Sequence, residues 1–167
     1  KTKDGRLVGF VADAMGKGIS AALTSLASTR FLNYFFDELE DEGKFSLEAW
    51  IKKFVKFTKT NLMDDELLSI SFLELDLQNS LVYYALCGMP SLLAISKEGE
   101  LIVIKSNNPP MMSFTDTVHI DMMPTGSLAK LLCYSDGLSE SFTQEEKPYA
   151  SKMREDFVAS LGVEDFH

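Results

Sequence analysis

The sequence predicts an α+β fold with largely antiparallel β-sheets and flanking helices. Two observations favour this class. The first half of the chain contains two adjacent segments with helical spacing of apolar residues, and the second half contains short alternating segments joined by hairpin-length turns. Strands joined as hairpins pair antiparallel. The chain has 167 residues and contains no internal repeat or linker, so residues 1–167 are expected to form a single domain.

The first half is predicted to contain a strand and two helices. Residues 6–12 form an apolar strand, and residues 19–36 form an amphipathic helix. The acidic stretch 38–42, followed by Gly43, is expected to be a solvated connection. Ser46 can then cap a second helix. The expected core positions are Ile19, Ala22, Leu23, Leu26, Arg30 and Tyr34 in the first helix and Leu47, Trp50, Ile51, Phe54 and Val55 in the second, with Ser20, Thr24 and Ser28 on the polar face of the first.

The second half changes to a period of two residues and is predicted to begin with two β-hairpins. The first hairpin pairs residues 69–76 with 81–87, and the second pairs 92–95 with 101–105. Pro109-Pro110 then breaks the pattern. The remaining expected elements are strands at 117–120 and 128–134, a turn at 124–126 and a helix at 151–161.

Composition excludes several classes of function. The chain carries 25 acidic and 16 basic residues, and the net charge of −9 would repel phosphate backbones and anionic membranes. We therefore expect no nucleic-acid and no membrane contact. No signal peptide opens the chain, and its apolar runs have strand length, so a cytoplasmic protein is expected. Cys87 and Cys133 each lie in an apolar run and are expected to be buried thiols.

Two aspartates at predicted strand ends are the strongest candidates for a site. Asp13 follows the first predicted strand, and Gly16 and Gly18 allow the backbone to turn into the helix. Asp136 follows another apolar run and precedes Gly137. Paired carboxylates held in this way suit hard divalent cations such as Mg²⁺ or Mn²⁺. Taken singly, Asp13 has the alternative of a helix cap and Asp136 that of an ordinary Asp-Gly turn.

Other catalytic chemistries lack the residues that they need. The run 16–18 is not a P-loop, because Val11 and Gly18 stand where that motif requires glycine and a Ser or Thr. The only histidines are His119 and His167, so Ser or Cys nucleophiles lack a positioned base and zinc lacks its preferred ligands. His119 is expected to be structural or exposed.

Three motifs in this order resemble the metal-dependent serine/threonine protein phosphatases of type 2C, in the bacterial branch typified by the stage II sporulation protein E. A strand leading into Asp-x-x-Gly-Lys/His-Gly is matched by residues 13–18, and a late Tyr-Thr/Ser-Asp-Gly-x-x-Glu is matched by residues 134–140. A Gly-His-x-Pro-like turn is matched imperfectly by Gly88-Met89-Pro90. The resemblance spans residue 6 to about 162 and implies a β-sandwich flanked by helices.

The chain departs from this pattern in several places. The branch has another metal aspartate in an upstream Gly-Gly-Asp motif and a final one well beyond the late Asp-Gly. No residue of the sequence matches the upstream motif. Asp165 does not match the final aspartate, because it lies too near Gly137. Met89 replaces the familiar histidine, and Ala14 stands where eukaryotic relatives have glycine. The resemblance therefore implies a domain trimmed at both ends.

The resemblance implies a site and a mechanism. Two ions, Mn²⁺ or Mg²⁺, would activate a water for in-line hydrolysis of phosphoserine or phosphothreonine. Asp13 would bridge the ions, and Ala14 would offer its carbonyl. Asp136 would bind one ion, and Gly137 would shape its loop. Asp13 and Asp136 are thus the catalytic candidates. The expected partner is a phosphoprotein, such as an anti-sigma-factor antagonist in a bacterial partner-switching pathway.

Two other interpretations stay open. A catalytically weak or inactive phosphatase-like module would bind and regulate a partner protein. Met89 and the unmatched ligands favour it, whereas the intact Asp13 and Asp136 loops oppose it. The other interpretation is an unrelated α+β domain with coincidental aspartate turns. We also expect the fragment to be a poor phosphatase and to self-associate as a homodimer through open strand edges.

Overall fold

The computed structural model describes residues 1–16, 18–143 and 148–162. Lys17, Asp165 and His167, discussed above, lie outside these ranges. The described residues form the strands β1 (Leu7–Ala14), β2 (Leu68–Asp76), β3 (Leu81–Cys87), β4 (Leu92–Ser96), β5 (Leu101–Ile104), β6 (Asp121–Pro124) and β7 (Leu128–Leu132), and the helices α1 (Ile19–Asp41), α2 (Leu47–Asn61), α3 (Asp136–Ser139) and α4 (Ala150–Ala159), followed by a 3₁₀ turn at Ser160–Gly162.

The strands form two antiparallel sheets, which confirms the predicted α+β class. One sheet has the order β1-β2-β3-β6 and the other β5-β4-β7. Both predicted hairpins are present, β2 with β3 and β4 with β5. All five residues of β4 are buried, so both faces of the second sheet are covered at its centre. The link between β3 and β4 carries the chain from one sheet to the other.

Helix α2 packs on the first sheet as its sequence predicts. The Ser46 side chain accepts a hydrogen bond from the Ala49 N–H at 3.1 Å, so the predicted cap is confirmed. Trp50 lies against Phe10 and Phe72 of the sheet, with ring centroids 5.9 and 5.5 Å away. The predicted core face of α2 is buried at every position: Leu47, Trp50, Ile51, Phe54 and Val55.

The predicted core face of α1 is wrong. Ile19 is 80% exposed, and the three other large apolar residues of that face, Leu23, Leu26 and Tyr34, are also exposed. Leu32 is buried instead, where its carbonyl accepts a hydrogen bond from the Trp50 indole at 2.8 Å. The buried residues of α1 are Ser28, Leu32 and Leu39, so Ser28 lies in the core rather than on a polar face.

Helix α1 also continues through the acidic stretch that was expected to be a connection. It ends at Asp41, and Gly43 follows with a φ of +65°, in the left-handed region that favours glycine. Phe36 lies near this end, and its ring packs edge-on against Phe45 with centroids 5.1 Å apart. Leu39, beyond the predicted boundary, is buried in the same core cluster, and this burial favours the longer helix.

The strand predicted at 117–120 is absent from the described residues, because a side chain replaces its partner. The Asn108 amide accepts a hydrogen bond from the His119 N–H at 2.7 Å and donates one to the His119 carbonyl at 2.8 Å. Strand β6 begins only at Asp121 and includes Pro124, which was expected in a turn. Because β6 is an edge strand, proline is tolerated there.

The remaining predictions concern exposure. His119 is exposed, as predicted, and its ring hydrogen-bonds Asp121 at 2.8 Å. Cys87 is a buried free thiol, whereas Cys133 is only half-buried, so its predicted full burial is wrong. Among the described helices, none combines the length and apolar character that crossing a bilayer demands.

Candidate functional site

Strand β1 carries Asp13 to one end of the first sheet. Asp13 lies opposite Ser69 of β2, one residue before the strand ends, so it is inside β1 rather than after it. The ladder continues through the Met15 N–H, which donates to the Leu67 carbonyl at 2.9 Å. Gly16 follows with a φ of +107°, a backbone conformation that residues other than glycine rarely adopt. This turn leads directly into α1, as predicted.

The link between the sheets passes the same end. Gly88 has a φ of +65°, and a Cβ there would lie 2.4 Å from Pro110 Cγ and 2.9 Å from Pro110 Cα. Glycine is therefore required both for the conformation and for the close approach. The Gly88 N–H donates to the Asn108 carbonyl at 3.0 Å, and the Asn108 N–H donates to the Leu86 carbonyl at 3.0 Å. These bonds fix the segment that leads to Pro110 beside the link.

Asp136 reaches this end from the second sheet. Strand β7 ends at Leu132, earlier than predicted, and Asp136 begins the short helix α3 rather than forming a turn. The Asp136 carbonyl accepts hydrogen bonds from the Glu140 N–H at 2.7 Å and the Ser139 hydroxyl at 3.0 Å. A Cβ on Gly137 would make an ordinary contact, 3.6 Å from Ser135 Oγ. The structure thus gives no steric reason for glycine at that position.

A cavity of about 250 Å³ brings the three motif segments together. Asp13 and Asp136 both line it, so the two candidate carboxylates lie at the same end of the fold although 123 positions separate them in the chain. Ala14 and Gly137, the other two predicted metal-site residues, each adjoin one of them in the chain but do not line the cavity. The lining residues are Asp13, Met15, Leu67, Ser69, Gly88, Met89, Pro90, Pro110 and Asp136.

The electrostatics of the site are those of two crowded carboxylates. Burial raises the pKa of Asp13, and the Asp136 carboxyl, within hydrogen-bonding reach, raises it further. Glu140 contributes more repulsion, while a hydrogen bond with Ser135 acts in the opposite direction. Like charges held together in this way favour a proton or a cation between them.

The side chains therefore fit a hard divalent cation, although the number of ligands that they offer is small. In the part of the chain that the structure describes, no three Asp, Glu, His or Cys side chains come close enough to hold a metal ion. Asp13 and Asp136 would supply the charged oxygens, with main-chain oxygens and water completing the shell. The site offers two carboxylates rather than the larger set that two tightly held ions prefer.

Several lining residues were not predicted as part of the site. Pro110 was interpreted only as a break between strands, and Ser69 only as a strand residue. The register of β1 with β2 places Ser69 opposite Asp13, so a correct strand alignment would have found it. Pro110 arrives through the contact with Gly88, which pairs segments that the sequence pattern does not connect.

The comparisons with known proteins concern both family and fold. Residues 3–165 match the family model described as stage II sporulation protein E (SpoIIE). No curated protein sequence matches the chain. Among solved structures, the RsbU and RsbW domains of Rv1364c from Mycobacterium tuberculosis superpose with a TM-score of 0.73 at 17% identity, covering 94% of this chain and 43% of that one.

Two further solved structures are similar to the chain. The PP2C phosphatase domain of SpoIIE from Bacillus subtilis, solved with a fragment of its regulatory domain, gives a TM-score of 0.65 at 17% identity, covering 96% of this chain and 44% of that one. RsbX in complex with magnesium gives a TM-score of 0.62 at 16% identity, covering 98% of this chain and 77% of that one. The chain thus spans less than half the length of the first two structures, and these likenesses show a shared fold.

Proposed function

The chain belongs to the stage II sporulation protein E family, a branch of the PPM-type (type 2C) phosphatases, and from this premise we propose that it hydrolyses phosphoserine or phosphothreonine on a protein substrate. The observation that carries the proposal is the convergence of Asp13 and Asp136 on one cavity that Gly88 also lines. The proposal treats residues 1–167 as one phosphatase-like domain.

In this proposal each residue has a stated task. Asp13 and Asp136 hold Mn²⁺ or Mg²⁺ through their carboxylates, and the Ala14 carbonyl adds a neutral oxygen beside Asp13. Gly137 follows Asp136 and shapes the loop that carries it. When bound, the ions supply Lewis acidity to the phosphoryl group and to the attacking water. Because burial and Asp136 raise the pKa of Asp13, protons compete with the cation for this carboxyl as the pH falls.

The remaining cavity residues shape the space for the phosphoryl group. Gly88 allows the β3–β4 link to approach Pro110 closely, and the next residue of the link, Met89, is buried. Met89 has no proton to exchange, so no general acid or base comes from the position where the family pattern has histidine. This arrangement assigns the polar work of the site to Asp13 and Asp136.

The cellular setting is also a proposal. We place the protein in the bacterial cytoplasm, acting in a partner-switching pathway on a phosphoprotein such as an anti-sigma-factor antagonist. Its family and the similarity to a chain that contains RsbU and RsbW domains support this setting. We further propose a homodimer formed through an open sheet edge, since β1 pairs only with β2 among the described strands. Light scattering tests that assembly.

The activity is tested by following hydrolysis of p-nitrophenyl phosphate and of a phosphoserine peptide in the presence of Mn²⁺. We expect Asp13→Asn and Asp136→Asn each to lower kcat/KM at least about a hundredfold, because each change removes a charged ligand. Asp37→Asn is the matched control, exposed on α1 and 18 residues from its start, which is about 27 Å at 1.5 Å per residue. Turnover that persists in EDTA would refute the proposal.

A second candidate function is a weakly active module that binds and regulates its partner. The small carboxylate set and the buried Met89 favour it. Calorimetric titration with Mn²⁺ separates the two candidates. Submicromolar binding together with turnover supports the enzyme, whereas a folded chain that binds Mn²⁺ loosely and hydrolyses neither substrate supports the module.

A further inference from the structure

Helix α1 has a second apolar face, which is open to solvent. Its large apolar residues Ile19, Leu23, Leu26 and Tyr34 are each more than half exposed. Together with the exposed Arg30 they recur at spacings of three or four residues, so they form one line along the helix, which we call the α1 stripe. The buried residues of α1 lie on the opposite face. The α1 stripe therefore adds nothing to the core of the chain.

Apolar side chains next to the α1 stripe widen it. A hollow of about 240 Å³ lies between α1 and the end of α2, and both Leu23 and the exposed Met63 line it. Phe31 is exposed as well, and its ring packs against Phe57 of α2 with centroids 4.3 Å apart. Phe31 is also a neighbour of Tyr34 on the helix surface. The stripe and these side chains thus form one continuous apolar surface.

The area of this surface matches what one half of a dimer interface needs. A standard interface buries about 800 Å² on each partner, of which about 450 Å² is apolar. At about 100 Å² for a fully exposed aliphatic side chain and about 200 Å² for an aromatic one, the α1 stripe together with Phe31 and Met63 exposes about 450 Å² of apolar area. An apolar patch of this size is often functional.

The order of side chains along the α1 stripe suits an antiparallel second copy. When a twofold axis lies beside Leu26, the Leu26 side chains of the two copies meet. Ile19 then lies opposite Tyr34 of the second copy, and Leu23 lies opposite the methylene stem of Arg30. The stripe is therefore complementary to itself, as an interface with twofold symmetry requires.

The charges of α1 also permit this pairing. The chain carries 25 acidic residues, yet residues 19–36 contain no Asp or Glu, so two stripes can meet without repulsion between carboxylates. Glu66 lies beside the start of α1, where it accepts hydrogen bonds from Ser20 and Thr24 at 3.0 and 3.1 Å. In the antiparallel pair, Arg30 of one copy faces the turn of the second copy that holds Glu66. The twofold axis repeats this contact between opposite charges.

We propose that α1 is a homodimer interface, in which the α1 stripes of two copies pair antiparallel about an axis beside Leu26. The occupant of the exposed surface is thus a second copy of this chain. The interface lies on α1 and is separate from the open edge of β1. It does not depend on the proposed phosphatase activity, so it can be tested without a substrate or a metal ion.

Disulfide trapping tests the predicted axis directly. Leu26→Cys should form a disulfide-linked dimer under mild oxidation of dilute protein, because residues beside a twofold axis meet their own copies. Leu77→Cys is the matched control, since Leu77 is 61% exposed and Leu26 is 60% exposed. We expect at least about ten times more linked dimer from Leu26→Cys than from Leu77→Cys. The parent protein controls for Cys87 and Cys133.

Sedimentation equilibrium tests the affinity of the same surface. Leu26→Asp should raise the dimer Kd at least about a hundredfold, because two carboxylates would meet at the axis without a counter-ion. Leu77→Asp should stay within about twofold of the parent. Circular dichroism checks that each variant folds. If Leu26→Asp does not fold, Ile19→Asp replaces it, since an acidic residue is favourable in the first turn of a helix, and the expected loss is at least about tenfold.

Three outcomes overturn the proposal. The first is a parent chain that sediments as a monomer at every concentration. The second is equal trapping of Leu26→Cys and Leu77→Cys, which would mean random collision. The third is a dimer that keeps the parent's Kd in Leu26→Asp, or in Ile19→Asp where that variant replaces it. That result would leave the open edge of β1 as the interface.

Discussion

The substitution Asp13→Asn should stabilise the metal-free protein, but it should leave the protein less stable than the parent when Mn²⁺ is present. Folding raises the pKa of Asp13 above its ordinary value, mainly by burial and then by repulsion from Asp136. A group of this kind contributes stability that is complete below the ordinary carboxyl pKa and is lost as the pH rises through the folded value. At neutral pH the ionised pair therefore destabilises the metal-free chain, and asparagine relieves the repulsion.

The size of this effect follows from the placement of the two carboxylates. Two unit charges about 4 Å apart repel by about 1 kcal/mol in water and about 4 kcal/mol at an effective dielectric constant near 20. Asp136 is exposed and Asp13 is half-buried, so the lower figure applies. A gain of about 1 kcal/mol raises the Tm by about 2 to 4 °C for a chain of this size.

Adding metal should reverse which of the two proteins, the parent or Asp13→Asn, has the higher Tm. Mn²⁺ at a hundred times its Kd stabilises the parent by about 2.7 kcal/mol, whereas the variant has lost a ligand and gains much less. Calorimetric melting in EDTA and in Mn²⁺ therefore gives curves that cross, with Asp37→Asn as the control that stays with the parent. A variant that melts below the parent in EDTA would refute the repulsion argument, and equal gains in Mn²⁺ would remove Asp13 from the ligand set.

The other predictions concern the link and the thiols. Gly88→Ala should lower the free energy of unfolding in urea by about 2 to 3 kcal/mol, because its left-handed φ and the approach to Pro110 both exclude a Cβ. Gly126→Ala, with open space around the added Cβ, should cost less than about 0.5 kcal/mol, and equal losses would contradict the steric argument. Burial raises the pKa of the Cys87 thiol to about 12 and also raises that of Cys133. Ellman's reagent at pH 8 should therefore modify Cys87 only after denaturation and Cys133, which is half-buried, sooner; rapid reaction of Cys87 in the native chain would show that β3 opens.

The start of helix α2 and the residues of its buried face could be predicted, whereas the buried face of helix α1 could not, for a physical reason. In α2 the lysines occupy one side and the apolar residues the other, so periodicity alone selects the buried face. In α1 apolar residues surround most of the helix, and two faces compete. Trp50 decides between them, since its indole needs an acceptor and finds the Leu32 carbonyl. A long-range hydrogen bond of this kind cannot be predicted from the spacing of apolar residues in α1 itself.

The site was predictable where strand ends determine it and unpredictable where loops meet. Asp13 and Asp136 each come at the end of an apolar run, so the sequence alone could place each of them near a strand end. Strands β1 and β7 lie in different sheets, however, and only the packing of the two sheets brings the carboxylates to one cavity. Pro110 joins them only because Gly88 lacks a Cβ and hydrogen-bonds the Asn108 carbonyl. The Gly88-Met89-Pro90 segment thus contributes a close backbone contact to the cavity, whether or not residue 89 carries a functional side chain. Substituting Met89 should therefore perturb the site less than adding a single methyl group to Gly88.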